Sequence, residues 1–162
     1  MTELFYGKYL GIVVDNDDPK GLARVRATIP EVFGEEPTGW CLPCSPYPGR
    51  GTGLAAVPPL DSLIFVEWPA GDTSRVPIWS GGAWPDGEGV ADAGPEAIVL
   101  RTPAGHRMVI RDSSGSEAIE IEAASGAKIV LDGDGVLVEL GSQQLAVSRT
   151  SISLNGGALE VR

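Results

Sequence analysis

The sequence predicts an all-β protein, and three observations lead to this prediction. The 162 residues include 22 glycines and 13 prolines. Together they make up about a fifth of the chain, against roughly 12% in an average protein, so we expect frequent turns and few long helices. Apolar residues fall two apart in many short runs, as they do in strands with one buried face. In the C-terminal part, no window has apolar residues at the i, i+3, i+4 and i+7 spacing of an amphipathic helix. Hydrophobic residues make up 43% of the chain, which is enough for a packed core.

Residues 1–85 are predicted to form one domain built from two strand pairs. The predicted strands are 9–14 with 22–29, and 63–68 with 75–82. A polar turn containing Pro19 and Gly21 joins the first pair, because these residues favour chain reversal. Between the two pairs lies a proline- and glycine-rich stretch, 43–59, without a periodic signal.

Residues 86–95 are small, acidic and aperiodic, and they predict a linker. The second domain, 96–162, contains eight apolar clusters separated by glycine, serine, aspartate or asparagine, which is typical of short strands joined by tight turns. The clusters begin at Ile98, Met108, Ile119, Ile129, Val136, Leu145, Ile152 and Leu159.

Eight short strands with one apolar face each give a small and poorly closed core when they fold alone. Winding the strands around a common axis with identical copies would bury these faces and cover the exposed edges. A small independent β-sandwich or meander is the alternative that periodicity leaves open. The residues predicted to line the core between copies are Ile119, Ile121, Ile129, Leu131, Val136, Val138, Leu140, Leu145, Val147, Ile152 and Leu154.

The formal net charge of −10 argues against nucleic-acid binding. Residues 1–90 and 91–162 both carry more acidic than basic side chains, so neither part offers the basic surface that phosphate backbones require. No apolar run approaches the roughly 18 residues of a membrane span. The first residues also lack the basic and apolar regions of a signal peptide.

Cys41, Cys44 and His106 are the side chains most suggestive of chemistry. With only these three nitrogen or sulfur ligands, one chain cannot form a closed four-ligand zinc site. The Cys41–Cys44 spacing is that of a redox dithiol, but Pro46 and Pro48 follow and prevent the helix that such a motif requires. We therefore expect loop cysteines, free or locally bridged, a packing or junction role for His106, and no catalytic, metal or cofactor site.

The order of several spaced segments resembles the central spike proteins of contractile injection machines. This family includes the phage baseplate assembly protein V and the VgrG-type spike of type VI secretion. The matching segments are 11–19, 21–27, 58–68, 77–82 and Thr102-Pro103-Ala104-Gly105-His106 with the four residues that follow. The resemblance implies an N-terminal OB-fold barrel followed by a trimeric intertwined β-helix, or β-prism, rod.

The resemblance also implies a non-enzymatic function. Members form a homotrimeric needle that seats on a baseplate hub through the OB-fold and pierces a target cell envelope. The chain would be assembled in the bacterial cytoplasm and located in a virion tail or injection-machine baseplate. The C-terminal segment lacks the His-x-His motif of spikes that form their own tip, which implies a blunt end that either acts bare or binds a PAAR-like tip protein. Leu159, Val161 and Arg162 are the candidate contacts for that protein.

Two rival functions remain open at this point. An OB-fold could instead bind an oligosaccharide or single-stranded nucleic acid, although single-strand binding uses basic grooves with stacking aromatic residues. A dithiol oxidoreductase is the other rival, and it depends on Cys41 and Cys44 alone.

Overall fold

A computed structural model describes residues 3–161, apart from the side chain of Glu160. The chain forms two compact units, the first ending at Glu88 and the second beginning at Gly89. Strands dominate both units. Within the described residues, helical structure is confined to a short helix α1 (Pro30–Phe33) and a 3-10 turn at Pro69–Gly71.

The N-terminal unit contains seven strands, and five of them form one sheet. The strands are β1 (Tyr9–Asp15), β2 (Arg26–Thr28), β3 (Leu42–Pro43), β4 (Pro48–Gly49), β5 (Thr52–Gly53), β6 (Leu63–Glu67) and β7 (Ile78–Ala83). The sheet has the order β2-β1-β6-β7-β3, with β3 parallel to β7 and the other neighbours antiparallel. The two predicted strand pairs are present as β1–β2 and β6–β7, while part of the stretch 43–59 forms the separate hairpin β4–β5.

One face of this curled sheet encloses the core of the unit. Alternation along β1 and β6 directs Val13, Ile64 and Val66 inwards, and each is at most 2% exposed. These side chains pack with other buried residues in a single cluster, whose further members are Val25, Ala27, Ile29, Cys41 and Trp68. Such a curled, mostly antiparallel sheet around one core is consistent with an OB domain.

Asp18 holds the turn between β1 and β2. Its carboxylate accepts hydrogen bonds from the backbone N–H groups of Lys20 at 2.9 Å and Leu22 at 2.8 Å. The Nε of Arg24 donates to both carboxylate oxygens at 3.0 Å, and the guanidinium of Arg24 lies 5.2 Å from the ring centre of Trp40. The side chain of Asp18 is only 4% exposed, and its pairing with Arg24 holds the pKa of this carboxyl well below its usual range.

We predict that Asp18→Asn lowers the melting temperature at neutral pH, because the amide cannot accept the same set of charged and backbone hydrogen bonds. Folding lowers the pKa of Asp18. The charged carboxylate therefore adds to the free energy of unfolding at pH values above its unfolded pKa, near 3.9. This contribution is lost as the pH falls towards the pKa of Asp18 in the folded protein. The difference between parent and variant should therefore shrink in thermal melts recorded from about pH 6 down to pH 3. The exposed Asp17 provides the control, and Asp17→Asn should leave the melting temperature nearly unchanged.

The C-terminal unit is one antiparallel meander of eight strands. The strands are β8 (Ala97–Arg101), β9 (Arg107–Arg111), β10 (Ala118–Glu122), β11 (Lys128–Asp132), β12 (Gly135–Leu140), β13 (Gln143–Ser148), β14 (Ile152–Leu154) and β15 (Leu159–Val161). Each strand pairs with the next one in sequence, so β8 and β15 are the edges of the sheet. All eight predicted apolar clusters fall within these strands. The trimeric β-helix remains a prediction, because hydrogen bonds within one chain are enough to form this sheet.

Candidate trimerisation interface

The register of the meander places its apolar side chains in two columns on one face of the sheet. Residues directly opposite each other in an antiparallel pair project from the same face. The first column contains Leu100, Met108, Ile121, Ile129, Val138, Leu145, Leu154 and Leu159. The second contains Ile98, Ile110, Ile119, Leu131, Val136, Val147, Ile152 and Val161. We call these sixteen residues the apolar face.

The apolar face is largely exposed in one chain. Thirteen of its sixteen side chains are exposed, from 37% at Val136 to 67% at Ile98. A continuous apolar surface that crosses all eight strands is much larger than the isolated exposed hydrophobic residues found on most proteins. We therefore expect a partner surface to cover this face.

The opposite face of the meander combines apolar and charged side chains. In the register, Val99, Val109 and Val130 lie in one row with Glu120, and Val109 is fully buried. Arg107 donates through Nε to Glu122 at 2.7 Å and through a terminal nitrogen to Glu120 at 3.1 Å. Glu120 also pairs with Arg111 at 3.3 Å and with Lys128 at 3.4 Å. Strands β9, β10 and β11 thus carry a connected set of charges on this face, away from the apolar face.

The pKa values of these groups follow from the pairing. The hydrogen bond with Glu122 raises the pKa of Arg107. Partial burial would raise the pKa of Glu120, but its hydrogen bond with Arg111 and the charge of Lys128 outweigh that effect and lower it. Both groups are therefore charged at neutral pH.

The structure places the predicted core residues on one face. Ten of the eleven candidates belong to the two columns. The eleventh, Leu140, lies on the same face two residues after Val138 and is opposite Gln143. The candidate set omitted four residues of the columns on β8 and β9: Ile98, Leu100, Met108 and Ile110. Their spacing of two was visible in the sequence and could have identified them. The assignment of all these residues to an interface remains a prediction.

The predicted contacts for a tip protein are Leu159, Val161 and Arg162. Leu159 and Val161 end the two columns on edge strand β15 and are 57% and 59% exposed. Arg162 lies outside the described residues. Tip binding by these residues remains a prediction.

The two cysteines are both free. Cys41 is fully buried, with its Sγ 3.3 Å from the hydroxyl of Thr38, whereas Cys44 is exposed. Burial raises the pKa of the Cys41 thiol, which disfavours the thiolate that redox catalysis requires. Cys41 is therefore a core residue and not the loop cysteine that the sequence predicts, whereas Cys44 lies exposed in the loop after β3.

His106 is exposed and lies in the turn between β8 and β9. Its Nδ1 accepts a hydrogen bond from the backbone N–H of Ala124 at 3.2 Å, so it links this turn to the one between β10 and β11.

The carboxylate of Asp132 accepts hydrogen bonds from the N–H groups of Asp134 and Gly135, at 2.9 and 3.2 Å. Residues 3–161 contain no group of three or more histidine, cysteine, aspartate or glutamate side chains arranged to hold a metal ion.

Comparison with known families assigns both parts of the chain. Residues 9–84 match the family described as the type VI secretion system and phage-baseplate injector OB domain. Residues 97–160 match the phage baseplate V C-terminal trimerisation domain. No curated protein matches the chain. Among the described residues, no helix is both long and apolar enough to cross a bilayer.

The two matches follow each other along the chain and together cover most of it. The match to a trimerisation domain supports self-association of the chain as a homotrimer. A structural role in a baseplate follows from both domains. The chain belongs to the spike-related family of phage-baseplate and type VI secretion injector proteins.

Proposed function

We propose that the protein is the non-enzymatic central spike of a contractile tail or injection machine. In this proposal three copies bring their apolar faces together around one axis and form a β-prism rod. The observation that supports it most directly is the pair of apolar columns, which run without interruption across all eight strands of a domain that matches a trimerisation family.

The strand length fits three copies around an axis. Strands β9, β10 and β11 each have five residues, which corresponds to about 17 Å at about 3.3 Å per residue. A triangular prism with sides of about 17 Å has its axis about 5 Å from each face, which is half of the roughly 10 Å between packed sheets. Two columns of side chains per sheet can therefore fill the prism without leaving a channel.

Such a rod would be suited to piercing a cell envelope. Eight strands at about 4.8 Å give a shaft of about 40 Å, with apolar residues inside and the ion pairs of Arg107 and Glu120 outside. Unfolding one copy would expose the apolar faces of all three, so we expect slow unfolding. The N-terminal unit would seat on the baseplate hub, and the exposed Leu159 and Val161 on edge strand β15 would receive a PAAR-like tip protein.

The rival function, binding of an oligosaccharide or a single-stranded nucleic acid, has less support. The N-terminal unit carries six basic side chains. Three of them, Lys8, Arg24 and Arg75, pair with carboxylates, and Arg26 donates through Nε to the backbone oxygen of Thr38. Four of the six cations are therefore already engaged within the unit, whereas a backbone-binding groove requires cations free to contact phosphates.

Light scattering on the full-length protein tests the proposal. At micromolar concentration we expect a mass of three chains and a strand-rich circular dichroism spectrum. A chain that ends at residue 95 should lose this association, because it lacks the apolar face. In purified particles, quantitative mass spectrometry should find three copies per tail, as expected for a protein on the axis. A folded single chain in solution would show that the proposal is wrong.

A further inference from the structure

The segment between β7 and β8, residues 84–96, is folded into turns. Its small, acidic composition predicts a flexible linker over 86–95. In the structure, three backbone hydrogen bonds each close a turn of four residues. Their donors and acceptors are the N–H of Glu88 to the oxygen of Pro85 at 3.0 Å, Ala93 to Val90 at 3.2 Å, and Ala97 to Gly94 at 3.1 Å. Of residues 85–97, Gly89 alone lies outside these turns.

The first turn lies with the N-terminal unit, which ends at Glu88. Trp84, Pro85 and Glu88 line the same groove as Leu63 of β6 and Gly82 of β7. The chain is therefore positioned on the N-terminal unit up to Glu88.

The last turn is joined to the sheet of the C-terminal unit. The N–H of Asp112 donates to the backbone oxygen of Glu96 at 2.9 Å. This hydrogen bond extends the pairing of β8 with β9, in which Ala97 lies opposite Arg111, by one residue. The chain is therefore attached to the meander before β8 begins.

An ion pair attaches the middle turn to the same unit. The carboxylate of Asp92 lies 3.2 Å from a terminal nitrogen of Arg107 on β9. Glu120 and Glu122 hold the other nitrogens of Arg107, at 3.1 and 2.7 Å. An isolated surface ion pair contributes little, partly because two long side chains must be ordered to form it. Here the guanidinium is already held in place, so less ordering is needed when Asp92 binds it.

The backbone at Asp92 has an uncommon conformation. Its φ is +67°, in the left-handed region that aspartate and asparagine enter more readily than most other residues, though at some cost. Such a conformation persists where the surrounding contacts hold it. The ion pair with Arg107 therefore acts at the residue whose backbone most needs a further contact to keep its turn closed.

We propose that residues 89–96 form an ordered strap, which the Asp92–Arg107 ion pair clamps to the meander, and that the joint between the two units is confined to the chain around Gly89. A Cβ at Gly89 would meet no atom within 4 Å, and glycine adopts backbone conformations that other residues do not. Such small residues between two attached segments are suited to act as a hinge.

The strap does not depend on the proposed trimer, because all of its contacts lie within one chain. Its mechanical consequence does rest on the proposed function. In a spike that is pushed from its baseplate end, a joint of one or two residues passes the force from the N-terminal unit to the rod. A flexible linker of ten residues would bend before it transmitted that force.

Hydrogen–deuterium exchange of the full-length protein at pH 7, resolved to single residues by mass spectrometry, tests the strap. The amide of Ala93 is the reporter, because its N–H closes the turn that contains Asp92. We expect it to exchange about tenfold or more slowly than the same amide in the chain unfolded by denaturant. Exchange at the unfolded rate would mean that the segment is a flexible linker and that the strap is wrong.

Two variants test the clamp. Asp92→Asn removes the charge but keeps a residue that tolerates positive φ, and Asp92→Gly keeps the backbone conformation accessible and removes the acceptor altogether. In both, we expect the Ala93 amide to exchange about threefold or more faster than in the parent, while the amides of β10 are unchanged. Asp86→Asn removes an exposed carboxylate from the first turn and should leave Ala93 at the parent rate. Parent rates at Ala93 in both Asp92 variants would overturn the clamp.

Light scattering of the same samples separates this inference from the proposed function. A single-chain mass together with a protected Ala93 amide would show that the trimer is wrong and would support the strap. A three-chain mass together with an unprotected Ala93 amide would overturn the strap alone.

Discussion

Replacing Ile121 with aspartate should convert the trimer into separate chains at micromolar concentration. Ile121 lies in the middle of the first column, between Met108 and Ile129 in the register. In the proposed prism, three copies of the variant bring three carboxylates into one apolar core. An unpaired charge in such a core costs several kcal/mol per ion, and each 1.4 kcal/mol lowers the association constant about tenfold. Sedimentation equilibrium measures the loss directly.

A matched control places the same charge on the opposite face. Ser153 lies on β14, opposite Ala146 of β13, and its neighbours Ile152 and Leu154 belong to the columns. Ser153→Asp should remain trimeric, because the carboxylate stays in contact with water. If Ile121→Asp also remains fully trimeric, the apolar face is not the interface between copies, and the prism is wrong.

The strands of the C-terminal unit could be predicted from the sequence because the signal is local. Alternation of side chains between faces depends only on neighbouring residues, and Gly or Asp marks each turn. The clusters that begin at Ile119 and Ile129 therefore coincide with β10 and β11. The all-β class and the apolar face follow from the same pattern. The number of copies could not be derived from periodicity, which on its own favours a small independent sandwich or meander over an assembly of several copies.

Contacts between distant residues could not be predicted in the same way. Strand β1 pairs with β6 across about 50 residues, and this pairing alone decides that Leu10 and Phe65 share a face. The ion pair of Arg107 with Glu122 also depends on the register of β9 and β10. The sequence predicts a loop position for Cys41, yet its backbone pairs with Val25 and its side chain lies in the core. Each of these features depends on how distant segments pack, which a local pattern does not encode.

Gly82→Ala should strongly destabilise the N-terminal unit while leaving the C-terminal unit intact. A Cβ at this position would overlap the carbonyl oxygen of Leu63, and it would lie 3.3 Å from the Leu63 carbonyl carbon and 3.4 Å from the Cα of Ile64. All three atoms belong to the backbone of β6, so no side chain can rotate away. Strands β6 and β7 would have to separate in the middle of the sheet. We expect a loss of about 3 kcal/mol or more, at the upper end of the overpacking range.

Chemical denaturation followed by tryptophan fluorescence measures this loss in the relevant unit, because all four tryptophans lie before residue 89. Gly39→Ala provides the control, since its Cβ would meet no atom within 4 Å. The control should unfold at nearly the parent midpoint, and both variants should keep the mass of the parent in light scattering. Equal midpoints for Gly82→Ala and the parent would mean that β6 and β7 are not paired in this register. The close approach at Gly82 therefore provides a direct test of the topology of the N-terminal sheet.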